Sequence, residues 1–191
     1  MIFPIVPPVN RWSPEHTAGL SPLELLAYRS NLLGADRSVA NWGGGNTSSK
    51  TTEVDFRDRP TRVLWVKGSG SDLGTIRPEQ FTGLRLDDVV KLLEREAMTD
   101  EDLVRYYEHA VLRPGQPRAS IETPLHSMLP FEHVDHTHPD AIIAVCAVPD
   151  GRDLAKRLWG DQAIWVDYQR PGFALGKQIA LAEVASGLGA G

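Results

Sequence analysis

The sequence predicts a single, layered α/β domain. Short apolar runs typical of buried strands alternate along the chain with segments whose apolar residues recur at helical spacing. A length of 191 residues fits one domain, and the sequence shows no internal repeat, low-complexity tract or linker-like change in composition. This pattern does not decide whether the sheet is parallel or antiparallel, so both arrangements remain open at this point.

The composition argues against several classes of function. With 25 Asp+Glu against 20 Lys+Arg, the formal net charge is −5, which disfavours a nucleic-acid-binding module. The longest apolar run, 141–149, is far shorter than the roughly 20 residues of a transmembrane helix. The single cysteine, Cys146, cannot form an internal disulfide, which favours a reducing cytoplasm.

Residues 1–20 predict an extended arm, and residues 21–191 form the predicted domain. Prolines interrupt the apolar start of the chain and no basic segment precedes it, so it does not resemble a signal peptide. Ser21 is predicted to cap the first helix, with Pro22 in its first turn and Glu24 completing a capping box. Gly34 is predicted to end this helix.

The remaining elements follow from local patterns of apolar residues, capping residues and glycines. The predicted strands are 63–66, 142–148 and 163–168, and the predicted helices are 86–96, 100–107, a segment beginning near Ser120, 153–158 and 174–185. Residues 187–191 resemble the middle of a loop, so we expect the chain to be the N-terminal part of a longer protein.

Two histidines form the most specific candidate site. If residues 134–138 are extended, His136 and His138 point to the same face of a strand. Two imidazoles on one face can ligate a divalent metal. Among the common divalent ions, zinc is best suited to neutral imidazole nitrogen. The alternatives are two surface histidines in a loop, or one core histidine that bonds to a backbone carbonyl. His133 lies on the opposite face and is interpreted as structural.

A carboxylate precedes this pair in the sequence. Ser120 and Pro124 are typical of a helix start, and Glu122 lies four residues before His126, so that the two can share a helical face. A carboxylate beside a metal can be a ligand or a general base. The alternative is that Glu122 only complements the helix dipole.

Two glycine-rich loops are candidate sites for a phosphate or a polyhydroxylated substrate. In residues 41–49, three consecutive glycines allow close approach of the backbone to a ligand, and Asn46, Thr47 and Ser48 add neutral donors. This loop lacks both the Walker lysine and the dinucleotide fingerprint, and a flexible hairpin is the alternative. In residues 67–74, Lys67 and two serines would complement an anionic group.

In their order along the chain, these motifs resemble the class II aldolase/adducin family. The resemblance covers about residues 21 to 185 and is strongest to the aldolase portion of bifunctional rhamnulose-1-phosphate aldolase/short-chain alcohol dehydrogenase proteins. The motifs that carry it are Gly45-Asn46-Thr47-Ser48, Lys67-Gly68-Ser69-Gly70, Glu122, His136-Thr137-His138-Pro139 and Tyr168-Gln169-Arg170-Pro171-Gly172.

The resemblance implies a three-layer α/β/α sandwich on a mainly antiparallel sheet, and a homotetramer with active sites between subunits. It implies that His136 and His138 are zinc ligands and that Glu122 is the catalytic acid/base. The residues expected around the substrate phosphate, from the resemblance and from the chemistry of the loops, are Gly45, Asn46, Thr47, Lys67, Ser69, Gly70 and Ser120.

The implied reaction is zinc-dependent cleavage of a ketose 1-phosphate to dihydroxyacetone phosphate and an aldehyde. The resemblance implies a third histidine ligand well beyond the His136/His138 pair, at a position that would fall just beyond Gly191; all six histidines of this chain precede Asp140. We therefore expect the 191-residue chain alone to bind zinc weakly or not at all, to be inactive, and to self-associate through an unpaired sheet edge. Ile121 follows Ser120 where the family often has a second serine. The alternative is a non-catalytic, adducin-like structural or interaction module on the same fold.

Overall fold

The computed structural model describes residues 9–187. The described helices are α1 (Pro14–Thr17), α2 (Pro22–Ala35), α3 (Leu86–Val89), α4 (Asp100–Ala110), α5 (Thr123–Met128), α6 (Asp140–Ala147), α7 (Gly151–Trp159) and α8 (Phe173–Ser186). The described strands are β1 (Asn46–Val54), β2 (Pro60–Lys67), β3 (Phe81–Arg85) and β4 (His133–His136). No helix in this part of the chain is both long and apolar enough to cross a membrane.

The four strands form one antiparallel sheet in the order β3-β2-β1-β4. This arrangement settles the question that the sequence pattern left open. β1 is central and pairs with both β2 and β4, so that Ser48 lies opposite Val66 on one side and Val134 on the other. In the same register Asn46 lies opposite His136.

Helices cover both faces of the sheet. Because successive side chains of a strand point to opposite faces, β2 contributes to two separate cores. Val63 and Trp65 pack with Leu26 of α2, whereas Leu64 and Val66 face the other layer. That second layer consists of residues from α3, α4, α5 and α8. The predicted three-layer α/β/α architecture is therefore confirmed.

The first long helix begins as predicted and ends slightly later. In α2 the Ser21 hydroxyl accepts from the backbone N–H of Glu24, and the Glu24 carboxylate accepts from the backbone N–H of Ser21. The prediction that Gly34 ends the helix is wrong, because α2 continues to Ala35. A Cβ on Gly34 would lie 2.1 Å from the backbone nitrogen of Gly74, so this glycine allows the helix to contact a loop closely.

The predicted arm is not extended throughout. Within residues 9–20, α1 forms one helical turn that the Ser13 side chain caps. The first eight residues of the arm lie outside the described residues, as do residues 188–191 of the predicted C-terminal loop. Of the helix predicted over 86–96, only Leu86–Val89 (α3) is α-helical. Residues Val90–Glu94 continue it as a 3₁₀ helix.

The buried strand predicted over 142–148 is wrong. These residues form α6 and the turn after it, and their side chains lie mostly at the surface; Ile143, for example, is 45% exposed. A short apolar run has no periodicity that separates strand from helix, and Pro139 followed by Asp140 favours a helix start. Residues 163–168 are extended as predicted, but they belong to no strand of the described sheet. The helices predicted over 153–158 and 174–185 are confirmed as α7 and α8.

Candidate active site

The start of β1, the end of β4 and the start of α5 meet at one edge of the sheet. Asn46 is the first residue of β1, His136 is the last residue of β4, and Glu122 is the N-cap residue of α5. Since Asn46 and His136 are opposite each other in the antiparallel register, their side chains lie on the same face, the face that α5 covers. Three polar residues that are distant in the sequence therefore become neighbours.

Asn46 is the centre of the resulting network. Its side-chain nitrogen donates to a carboxylate oxygen of Glu122 at 2.8 Å and to the hydroxyl of Ser120 at 3.0 Å. Its side-chain oxygen lies 3.0 Å from Nδ1 of His136 and 2.6 Å from Nε2 of His126. Asn46 itself is 2% exposed. The sequence predicts a loop position for Asn46, but the structure gives it a buried place in a strand.

The two histidines of the predicted metal pair converge. β4 ends at His136, so His138 is not part of the strand, yet the two ring centroids are 4.7 Å apart. Their Nε2 atoms are 2.9 Å apart. Nδ1 of His136 is also 3.5 Å from a carboxylate oxygen of Glu122. The arrangement thus brings two imidazole nitrogens and a carboxylate together.

The glycines of the first loop make room for this pair. A Cβ on Gly44 would lie 2.6 Å from Nδ1 of His138 and 2.1 Å from the side-chain oxygen of Asn41. Gly45 has φ +76°, and a Cβ there would lie 2.4 Å from the carbonyl oxygen of His136. A side chain at either glycine would therefore force its neighbours to move: the Asn41 and His138 side chains at Gly44, and the His136 backbone at Gly45. These glycines therefore serve the packing of the histidines, in addition to any approach of a ligand.

His126 lies behind Asn46 and is completely buried. Its Nε2 faces the Asn46 oxygen and its Nδ1 is 2.8 Å from the hydroxyl of Ser48. Burial, with an electrostatic contribution from His136 as the next cause, lowers the pKa of His126 to about 3. His126 is therefore a neutral imidazole at physiological pH, with one nitrogen that donates and one that accepts.

Electrostatics keep the carboxylate ionised. Burial alone would raise the pKa of Glu122, but its hydrogen bond and electrostatic interaction with His136 and its hydrogen bond from the Asn46 amide together lower the pKa below its ordinary value. Burial also lowers the pKa of His138, and the nearby His136 adds to this effect. At neutral pH the site thus combines a carboxylate with a neutral His138.

A second group of predicted residues lies near this network. Ser69 and Ser120 line one cavity of about 550 Å³, and its charged lining residues are Arg105, Arg118, Asp100 and Glu101. Lys67, at the end of β2, is buried, and no hydrogen bond or ion pair links its ammonium group to another described residue. Burial lowers the pKa of Lys67, an effect that the carboxylates of Glu122 and Asp72 oppose.

Some of the predicted site residues do not face the network around Asn46. Thr47 lies on the opposite face of β1, where its hydroxyl is 2.6 Å from the hydroxyl of Ser30. Gly70 adopts φ +87° in open space, and a Cβ on it would meet no atom within 4 Å. His133 also lies on the α2 side of the sheet, where its Nδ1 is 3.0 Å from the hydroxyl of Ser49.

Sequence reasoning misses two residues of the network. The sequence pattern groups Ser48 only with the neutral donors of the first loop, and it marks His126 only by its spacing from Glu122. The alternation of a strand could have indicated Ser48, because it is two residues from Asn46 and shares its face. The burial of His126 depends on the packing of α5 against β1 and has no local signal.

Comparison with known proteins identifies the family. Residues 24–186 match the family described as Class II Aldolase and Adducin N-terminal domain, and the chain belongs to this family. A solved structure titled as the N-terminal Class II Aldolase domain of a conserved protein from Thermoplasma acidophilum is 39% identical, with a TM-score of 0.84. The match covers 92% of this chain and 80% of that one.

A curated relative is considerably longer than this chain. The Bacillus subtilis (strain 168) protein named Uncharacterized oxidoreductase YuxG is 54% identical over 170 residues. These residues are 88% of this chain but 25% of the relative. The chain therefore spans about a quarter of the length of that relative.

Proposed function

We propose that this chain is a zinc-dependent class II aldolase domain that cleaves a ketose 1-phosphate, of the rhamnulose 1-phosphate type, to dihydroxyacetone phosphate and an aldehyde. One observation carries the proposal. The carboxylate of Glu122 is held 3.5 Å from the ring of His136, whose other nitrogen faces His138. A potential acid/base therefore adjoins a pair of potential metal ligands. Membership of the family supports a lyase reaction in general.

The donor set supports zinc as the metal. Neutral imidazole nitrogen is a preferred zinc ligand, and the Nε2 atoms of His136 and His138 approach within 2.9 Å. When bound, zinc supplies a Lewis acid that polarises a substrate carbonyl. In residues 9–187 no group of three or more His, Cys, Asp or Glu side chains could hold a metal. We therefore propose that a third ligand comes from outside these residues.

Glu122 would perform the proton transfer. Cleavage breaks the bond between the carbon next to the ketone and the hydroxyl-bearing carbon beyond it. That hydroxyl loses a proton as it becomes the aldehyde, and the carbon next to the ketone gains one. An ionised Glu122 can accept the first proton and return it to the carbon. Asn46 holds the carboxylate at 2.8 Å, and such positioning is what a general acid/base requires.

The nearby cavity supports a phosphorylated substrate. Ser120 accepts from Asn46 and from the backbone N–H of Glu122, which leaves its own O–H proton available as a donor. Ser69 and two arginines line the same cavity. Lys67, a buried lysine with no ion pair among the described residues, adds positive charge near Glu122. Hydroxyl donors with cationic side chains are suited to a phosphate.

The direct test is an assay of the full-length protein with rhamnulose 1-phosphate, fuculose 1-phosphate and ribulose 5-phosphate. Each substrate is tested after removal of metal with a chelator and again after zinc is restored. We expect zinc-dependent release of dihydroxyacetone phosphate from a ketose 1-phosphate. Absence of metal-dependent cleavage or epimerisation with all three would overturn the proposal of an enzyme.

A second candidate is a non-catalytic, adducin-like structural or interaction module. It is favoured by the finding that the described residues contain no metal-holding group of three side chains. The sequence beyond residue 191 distinguishes the two candidates. A histidine followed by glycine in that sequence would favour the aldolase, and its absence would favour the module.

A further inference from the structure

We propose that Asn46 is a positioning residue that fixes which ring nitrogen of His136 carries the proton, and that His126 and Ser48 hold Asn46 in this orientation. The inference rests on the proposed function for its catalytic consequence, but it can be tested without substrate. It gives the Asn46 side chain a role in addition to the phosphate binding that the resemblance implies.

The orientation of the Asn46 amide follows from its neighbour. An ionised carboxylate can only accept hydrogen bonds, so the atom of Asn46 that lies 2.8 Å from Glu122 must be the nitrogen. The same NH₂ group donates its other hydrogen to Ser120 at 3.0 Å. The amide oxygen must then face the opposite way, toward the two imidazoles.

The amide oxygen in turn determines the protonation of both rings. An amide oxygen only accepts, so Nδ1 of His136 at 3.0 Å and Nε2 of His126 at 2.6 Å must both carry hydrogen. The Glu122 oxygen that lies 3.5 Å from Nδ1 of His136 is also an acceptor. A neutral His136 then has its lone pair on Nε2, the atom that faces His138. This is the tautomer that a metal ligand needs.

These contacts use the whole hydrogen-bonding capacity of Asn46. An asparagine side chain has two donor hydrogens and two acceptor lone pairs, and four protein groups occupy them. Asn46 is also 2% exposed. In this arrangement no side-chain donor or acceptor of Asn46 is left unpaired, so its side chain orients Glu122 and His136.

His126 and Ser48 form the layer behind Asn46. His126 is fully buried, and an imidazole in such a place is neutral unless a counterion accompanies it. Its Nε2 donates to Asn46, so Nδ1 must accept, and the Ser48 hydroxyl at 2.8 Å is the donor. Removal of this hydroxyl would allow His126 to adopt the other tautomer, with Nε2 unprotonated. The Asn46 oxygen would then face a lone pair and lose its preferred orientation.

The first test is long-range ¹H–¹⁵N NMR of the histidine rings in metal-free protein at neutral pH. We expect the Nδ1–H tautomer for His136 and the Nε2–H tautomer for His126. Ser48→Ala should change the tautomer distribution of both rings. The matched control is Ser30→Ala, because Ser30 is also fully buried and its hydroxyl also has a side-chain partner, Thr47, but on the other face of β1.

The second test is the affinity of the full-length protein for Zn²⁺ alone, measured by competition with a chromophoric chelator. Loss of a group that orients a metal-ligating histidine typically weakens affinity about 10–100-fold. We expect this loss for Asn46→Ala and a few-fold loss for Ser48→Ala, with Ser30→Ala unchanged. If the enzyme is active, Ser48→Ala should lower kcat and leave KM unchanged.

The outcomes separate this inference from the proposed function. An Nε2–H tautomer for His136 in the wild-type protein would overturn the inference, even if aldolase activity is found. Identical NMR spectra and zinc affinities for Ser48→Ala and Ser30→Ala would also overturn it. Conversely, the expected tautomers in a protein without aldolase activity would support the positioning role and overturn only the proposed reaction.

Discussion

Strands β1 and β2 each contain a fully covered stretch, but the two stretches differ in chemistry. On β2 and β3 the buried residues are mostly apolar, as Leu64, Val66 and Phe81 illustrate. On β1 the first four residues, Asn46–Ser49, are at most 3% exposed, and all of them are polar. Each has a side-chain partner from another element, such as Ser30 for Thr47 and His126 for Ser48. Buried strand positions thus hold mostly apolar side chains on β2 and β3 and hydrogen-bonded polar side chains on β1.

The difference indicates where stability and chemistry reside. Burial of an apolar side chain stabilises the fold by about 1.5–3 kcal/mol relative to exposure. A paired, buried polar group contributes less net stability, but it fixes the geometry of its partners. Substitutions on β2 should therefore reduce stability, whereas substitutions at the β1–β4–α5 junction should chiefly reduce activity or metal binding.

The largest effect is expected at Glu122. Glu122→Gln keeps the size of the side chain and its contact with Asn46 but removes the proposed acid/base, so turnover should fall by about two to four orders of magnitude. Thermal stability and zinc content should change little. Glu132→Gln is the control, because Glu132 is an exposed acid between α5 and β4. Loss of zinc in Glu122→Gln would show that Glu122 is itself a ligand.

The next prediction concerns the apolar strands β2 and β3. Leu64 is fully buried between the sheet and the second helical layer, so Leu64→Ala should lower the free energy of unfolding by about 2–5 kcal/mol. Leu158→Ala is the matched control, since Leu158 on α7 is 56% exposed, and it should change stability by less than about 0.5 kcal/mol. Chemical denaturation measures both. Equal losses would contradict the assignment of stability to β2.

The sequence predicts the apolar elements of the fold better than it predicts the polar network at the start of β1. The strand at 63–66 and the capped helix that Ser21 begins have local signals, and the structure confirms both. The run at 142–148 carries a similar apolar signal but forms the exposed helix α6, because a local pattern does not specify what covers a segment. The convergence of His136 with Asn46 depends on strand register, which no single segment encodes.

A smaller effect is expected in the first glycine loop. A Cβ on Gly44 would displace His138 and Asn41, so Gly44→Ala should weaken zinc binding about tenfold, as expected when a ligand's orientation is disturbed. The neighbouring Gly43 has φ +67° but open space around its Cβ position. Gly43→Ala should therefore cost about 1 kcal/mol of stability and leave zinc affinity unchanged. Weaker zinc binding by Gly43→Ala, with unchanged binding by Gly44→Ala, would contradict this prediction. It would show that the backbone conformation of the loop, rather than the space beside His138, determines metal binding.

The smallest effect concerns Lys50, on the same face of β1 as Ser48. Its ammonium group donates to the carbonyl oxygens of Leu129 and Phe131, just after α5. Burial, with Arg62 as a second cause, lowers the pKa of Lys50 from 10.5 to about 8. The folded chain therefore releases this proton at lower pH than the unfolded chain, and a neutral amine still has two hydrogens for the two carbonyls.

The sign of the pH dependence follows from linkage. Between pH 8 and 10.5 the unfolded state binds more protons at Lys50 than the folded state, so this residue makes stability rise with pH in that window. The gain should be on the order of 1 kcal/mol, because the side chain is partly exposed to solvent and its charge is screened. Lys50→Met keeps the aliphatic stem and removes the titrating group. Denaturation curves of both proteins at several pH values isolate the difference, since all other titrating groups are shared. A free-energy difference between the two proteins that stays constant across this window would show that burial at the end of α5 does not disfavour the charged lysine.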